Sequence, residues 1–136
     1  MAYLPLDRHI PTTDAVKALQ AGLHLAGWEV RNLDIDLVAG RLVVELHRYD
    51  GRWVYLAGRA DGGAQLERWE RRAVVRRYRG GPECDGFEDQ FLGRVRTEGI
   101  RSGLRSLSTY IADNPCPGRA QLTAPDVRAL LAPVLA

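Results

Sequence analysis

The sequence predicts an α+β domain: an N-terminal helix, an antiparallel meander of three to four strands, and two or three C-terminal helices packed on one sheet face. Three observations lead there. Apolar residues at helical spacing open the chain, alternating apolar runs broken by turn signals fill its middle, and helical stripes return at its end. Helices segregated to one side of an antiparallel sheet define that class. With 136 residues the chain suits one domain spanning 1–136 with a sizeable core. Its 46% hydrophobic and 26% charged residues are ordinary for a soluble globular protein, and no apolar run is long enough to span a bilayer.

Residues 1–11, with Pro5 and Pro11, read as an extended lead-in. Thr12 or Thr13 is placed to cap a first helix, and Asp14 in its first turn suits the helix dipole. Val16, Leu19, Leu23 and Ala26 form its apolar stripe, and Gly27 is placed to end it in a left-handed conformation. His9 and His24 have no ligand pattern around them and read as surface or packing residues.

The meander runs from Trp28 to Arg59. Asp50-Gly51, between Tyr49 and Arg52, favours a two-residue type I′ hairpin, and Ala39-Gly40 reads as a second turn of that length. Two-residue loops would place Leu37 opposite Leu42, Ile35 opposite Val44 and Leu33 opposite Leu46. Leu46 would then oppose Tyr55, and Val44 would oppose Ala57. One face would collect Leu33, Ile35, Leu37, Leu42, Val44, Leu46, Tyr55 and Ala57. The other would collect Asp34, Asp36, Val43, Glu45, His47, Tyr49, Val54 and Leu56. A slip of one residue would exchange the faces.

A turn at Ala60-Asp61-Gly62-Gly63 leads into residues 64–79. Glu67 and Arg71, with Leu66, Trp69 and Ala73, would suit a helix. Ala73-Val74-Val75 and Tyr78 are strand-like, and the segment is read as a long Arg-rich edge strand, since charge protects edges. Gly80-Gly81-Pro82 breaks the chain. Residues 83–97 carry Phe87, Phe91, Leu92 and Val95, a stripe compatible with a helix that Gly93 interrupts and Gly99 ends. Ile100, Leu104, Leu107 and Ile111 predict a helix from about Ile100 to Asp113, stopped by Asn114-Pro115 and Pro117-Gly118. Thr123-Ala124-Pro125-Asp126 is a compact helix start, with Val127, Leu130, Leu131 and Val134 on the buried side. This element order resembles that of small partner-binding α+β modules such as type III secretion chaperones. The resemblance lies in topology, without a shared motif, and implies a binding role.

No catalytic or cofactor motif is present, so the expectation is a non-enzymatic binding module with no cofactor and no metal. Its strongest candidate surface is the Arg/aromatic band Arg68, Trp69, Arg71, Arg72, Arg76, Arg77, Tyr78 and Arg79, which Arg101 and Arg105 (with Arg94 and Arg96) would extend. Guanidinium groups suit phosphates and aromatic rings suit base stacking, so nucleic acid is one partner class and an acidic protein segment another. The band is partly neutralised by Glu67, Glu70 and the acidic run from Glu83 to Asp89, which equally describes a solvated face. The alternative is a chaperone-like adaptor for a protein partner, with a metal-dependent enzyme as a remote third reading.

A second candidate is the patch Asn32, Asp34, Glu45 and His47. The register above sets Asp34 against Glu45, a repulsion that a metal, an arginine or water would relieve. A salt-bridged face, with Arg31 or Arg68 as the counter-charge, is the plainer account of it. The outer sheet face, with Val43, Tyr49, Val54 and Leu56, would otherwise serve a homodimer. Gly93, Gly99 and Gly103, with Arg101 and Ser102, suggest at most a loop and helix start, because no phosphate-binding motif surrounds them.

Net charge is +2, too small to imply a nucleic-acid partner by itself, and Lys17 is the sole lysine, a bias typical of GC-rich bacterial genomes. Cys84 and Cys116 lack metal-binding spacing and read as free thiols in a reducing compartment. The N-terminus lacks a basic region followed by an apolar one, so the expected location is cytoplasmic.

Overall fold

The computed structural model describes residues 9–59 and 61–136, with the side chain of Tyr78 excluded. The expectations for residues 1–8, for Ala60 in the third turn and for stacking by the Tyr78 ring lie outside the described residues. Within them the order is α1 (Asp14–Leu25), β1 (Trp28–Asp36), β2 (Arg41–Arg48), β3 (Arg52–Arg59), β4 (Ala64–Tyr78), β5 (Gly81–Thr97), α2 (Ile100–Asp113) and α3 (Ala124–Leu135). The strands form one antiparallel sheet in sequence order, β1-β2-β3-β4-β5. The fold is α+β, as the patterning predicts.

The helices follow their signals closely. Thr13 caps α1 by accepting the Val16 N–H at 3.2 Å, and Gly27, with φ of 84°, turns the chain into β1. At α3, Thr123 and Asp126 form a capping box, each side chain accepting the other residue's backbone N–H. The apolar stripes of α1, α2 and α3 pack on one sheet face with Leu33, Leu42, Val44, Leu46, Val54 and Leu56. Gly103 lets α2 sit close, since a Cβ there would lie 2.9 Å from that of Ala64.

The register differs from the expected one at both turns. Asp36 pairs with Arg41, so the first loop has four residues, and the Asp36 carboxylate accepts the Ala39 N–H at 2.9 Å inside it. Ile35 therefore faces Leu42, Leu33 faces Val44, and a bulge at Arg31 restores alternation before Val30 faces Leu46. In the second hairpin His47 pairs with Trp53 around a three-residue loop whose single positive φ is at Gly51. A type I′ turn needs positive φ at Asp50 as well, and glycine alone adopts it here. The one-residue slip exchanges the faces of β3. Val54 and Leu56 are buried in the core, while Tyr55 and Ala57 lie on the far side. The expected apolar dimer patch thus loses Val54 and Leu56.

The segment expected to be helical at 83–97 is strand β5. A spacing of four residues from Phe87 to Phe91 satisfies a strand's alternation as well as a helix's turn, a bulge at Leu92 puts Val95 on the opposite face, and the Gly80-Gly81 connection makes the long β4 its partner. β4 is accordingly an interior strand, and β5 is the edge. Among the described residues no helix is long and apolar enough to cross a membrane.

Candidate functional site

Strand β3 ends its pairing with β4 at Arg52 and Glu70. Beyond that point β4 and β5 continue together as a two-stranded arm, in which Arg72 pairs with Glu88, Ala73 with Phe87, Val75 with Cys84 and Arg77 with Pro82. A bulge between Ala73 and Val75 places Asp85 and Gly86 across from Val74. Neither face of the arm is covered: Phe87 is 70% exposed and Val75 62% on one, and Arg72 and Glu88 are exposed on the other. A ribbon of two strands with no core beneath it is marginal in water, so its order rests on cross-strand pairs.

Those pairs decide the state of the arginine band. Arg71 donates to Asp89 at 3.2 Å, Arg72 to Glu70 at 2.6 Å, and Arg76 lies 3.0 Å from Asp85. Between Glu70 and Asp89, five arginines are matched by five carboxylates. Arg72 first, and Arg52 second, hold the Glu70 carboxyl below its ordinary range by hydrogen bonding. Arg77 and Arg79 stand near the tip without an ion pair among the described residues. Arg68 points to the opposite face, towards the helices, and Arg101 and Arg105 are on α2. The ten residues singled out in the sequence therefore divide between the arm and the helix side, and do not make one cationic surface.

Trp69 is occupied. On the sheet face away from the helices, His47 stacks on Trp53 at 5.0 Å, Trp53 stacks on Trp69 at 5.1 Å, and Phe91 meets Trp69 edge-on at 5.1 Å. Trp53 is nearly fully buried and donates its indole N–H to Asp89 at 3.0 Å, which ties the ladder to the base of the arm. The ladder was not visible in the sequence because it depends on the register of β3, although two tryptophans sixteen residues apart on neighbouring strands hint at it. Beyond Phe91 the same face carries the Arg71–Asp89 pair and then an exposed apolar strip of Phe87, Val75 and Cys84.

The second candidate is rearranged. Asn32, not Asp34, faces Glu45, and Asp34 accepts from Arg41 at 2.8 Å. The buried Glu45 carboxylate meets His47 Nε2 at 2.6 Å, so the expected repulsion between Asp34 and Glu45 is replaced by two separate pairs. Among the described residues no three His, Cys, Asp or Glu groups converge as a metal site requires. Burial first, and the charges of Glu45 and Glu67 next, push the Tyr55 hydroxyl pKa up. Of the glycine set, Gly99 caps α2 as the expected helix start, Gly103 lies inside that helix and serves close packing, and Gly93 lies within strand β5 rather than in a loop. Cys84 is exposed, Cys116 is buried, and both are unpaired.

A groove of about 570 Å³ opens on the helix side of β4 and β5, alongside α2. Leu66, Leu92 and Val95 form its apolar wall, and Arg68 and Arg105 face it from opposite sides. The chain matches no protein-family model, no curated protein and no solved structure.

Proposed function

We propose that the protein is a non-enzymatic binding module that docks a partner protein through the β4–β5 arm. The observation that carries this is the uncovered strip of Phe87, Val75 and Cys84, set off from the Phe91 end of the aromatic ladder by the Arg71–Asp89 pair. Apolar side chains exposed on a ribbon that has no core are expensive to leave in water, and a partner's surface removes them from it. The strip is flanked by charges of both signs, which suits an apolar patch on the partner bordered by an acid and a base.

Nucleic acid is the second reading, and the cross-paired arginines and the occupied Trp69 ring weigh against it. A phosphate backbone would have to break the pairs of Arg71, Arg72 and Arg76 with carboxylates.

The test is site-specific photo-crosslinking in cells, with the probe at position 87 and a control probe at the exposed Leu25. The expected result is one protein adduct specific to position 87, lost on Val75→Ser and retained on Arg71→Gln/Arg72→Gln/Arg76→Gln. Adducts to nucleic acid that the triple arginine variant abolishes would overturn the proposal. So would adducts identical at the two positions.

A further inference from the structure

We infer that the groove between α2 and strands β4 and β5 is a binding site for a phosphate group carried on a small molecule. The site is separate from the arm and does not depend on its role.

The argument starts from Arg68. Its side chain projects towards the helices from a part of β4 where Leu66 is buried, and its Nε is buried without a hydrogen-bond partner. A buried guanidinium N–H that finds no acceptor costs free energy, and an anionic oxygen supplies the missing acceptor. The position of the group is built into the sheet. Gly93 is the residue directly across from Arg68, and a Cβ there would run into the guanidinium. The absence of a side chain at Gly93 is what allows Arg68 to lie across β5 and face the groove.

The opposite wall adds donors. Arg105, Ser102, Ser106 and Thr109 line the groove from α2, and Arg105 has no ion pair among the described residues. Gly103 brings this helix down onto the sheet, which sets the distance between the two walls. Arg52 stands at the other end, already held by Glu70 at 2.9 Å. The lining is thus rich in donors, with Asp113 as its one carboxylate. Two guanidinium groups without an ion pair among the described residues and four hydroxyls, those of Ser102 (which already accepts from Arg105), Ser106, Thr109 and Tyr110, suit the three oxygens of a tetrahedral dianion better than the two of a carboxylate. The volume falls within the range of small-molecule pockets, roughly 300–1,000 Å³. Leu66, Leu92 and Val95 offer an apolar wall to the organic part of the ligand, and Asp113 an acceptor for a hydroxyl on it.

The test is calorimetric titration of the full chain with inorganic phosphate and with phenyl phosphate, and with benzyl alcohol as the uncharged control. Saturable binding of both phosphates is expected, tighter for phenyl phosphate, with none for benzyl alcohol. Arg68→Gln and Arg105→Gln should each weaken it by about tenfold or more, as loss of a charge-assisted bidentate contact does. Gly93→Ala, which displaces the Arg68 guanidinium, should weaken it too, while Arg71→Gln on the arm should not. Equal affinity for the two phosphates would assign the site to free phosphate and still support the anion chemistry. Binding indifferent to both Arg68→Gln and Arg105→Gln, or no binding by the folded chain, would overturn the inference. Arg105 is exposed on α2, so its variant stays informative even if Arg68→Gln disturbs the fold.

Discussion

At residue scale, two positions one apart in β3 report the register. Leu56 is fully buried and Ala57 faces away from the helices. Leu56→Ala should therefore cost about 2–5 kcal/mol, as truncating a buried leucine does. Ala57→Ser should be close to neutral, and denaturant unfolding of the two variants measures the difference. The register expected from the two turn dipeptides would reverse that order. Two carboxyls define a pH window in the same way. Glu70, ordinarily near 4.5, is lowered by its hydrogen bonds to Arg72 and Arg52. Asp126, ordinarily near 3.8, is lowered by the Thr123 backbone N–H and then the Thr123 side chain. A pKa lower in the folded state contributes stability above the unfolded value, and that contribution is lost as pH falls through the folded one. The melting temperature should therefore hold steady down to about pH 5 and decline below about pH 4.5 as these groups protonate. Asp126→Asn should show a shallower decline. An unchanged acid slope in that variant would contradict the role given to the capping box.

At the scale of elements, the helices were legible in the sequence and the strands only partly so. Caps and stripes are local signals, and Thr13, Gly27, Thr123 and Asp126 act where the sequence puts them. Strand register depends on loop geometry, and Asp36 bonding to the Ala39 N–H lengthened one loop in a way that the Ala39-Gly40 pair does not reveal. β5 was legible as apolar but not as extended, because fourfold spacing fits both periods until the partner strand is known. The arginine band was legible as composition, whereas its neutralisation by β5 required knowing that β5 lies beside it. The groove site was legible only as single residues: Arg68 and Arg105 stood out, but Gly93 as the seat of Arg68 is a property of the pairing. The packing of α2 supplies a separate check on this scale. Gly103→Val would drive a side chain into Ala64 and Leu56 and should destabilise by roughly 1–3 kcal/mol, the cost of overpacking. Gly99, with open space around it, should tolerate alanine.

At the scale of the molecule, the chain divides into a body and an arm. The body is the sheet from β1 to the paired halves of β4 and β5, closed on one face by three helices. The arm leaves it beyond Arg71 and Asp89, carries exposed apolar residues, and lends no buried residue to the helix-side core. On this account the body folds by itself and the arm exists for contact. The most direct measurement is thermal unfolding, followed by circular dichroism, of a chain in which residues 72–88 are replaced by Asn-Gly. That exchange keeps Arg71, Asp89 and the bond from Trp53 to Asp89. The account predicts a cooperative transition within a few degrees of the full chain, about the effect of 1 kcal/mol or less at this size. A body that loses its cooperative transition would show that the arm is part of the fold, and would contradict the assignment of the arm to partner binding.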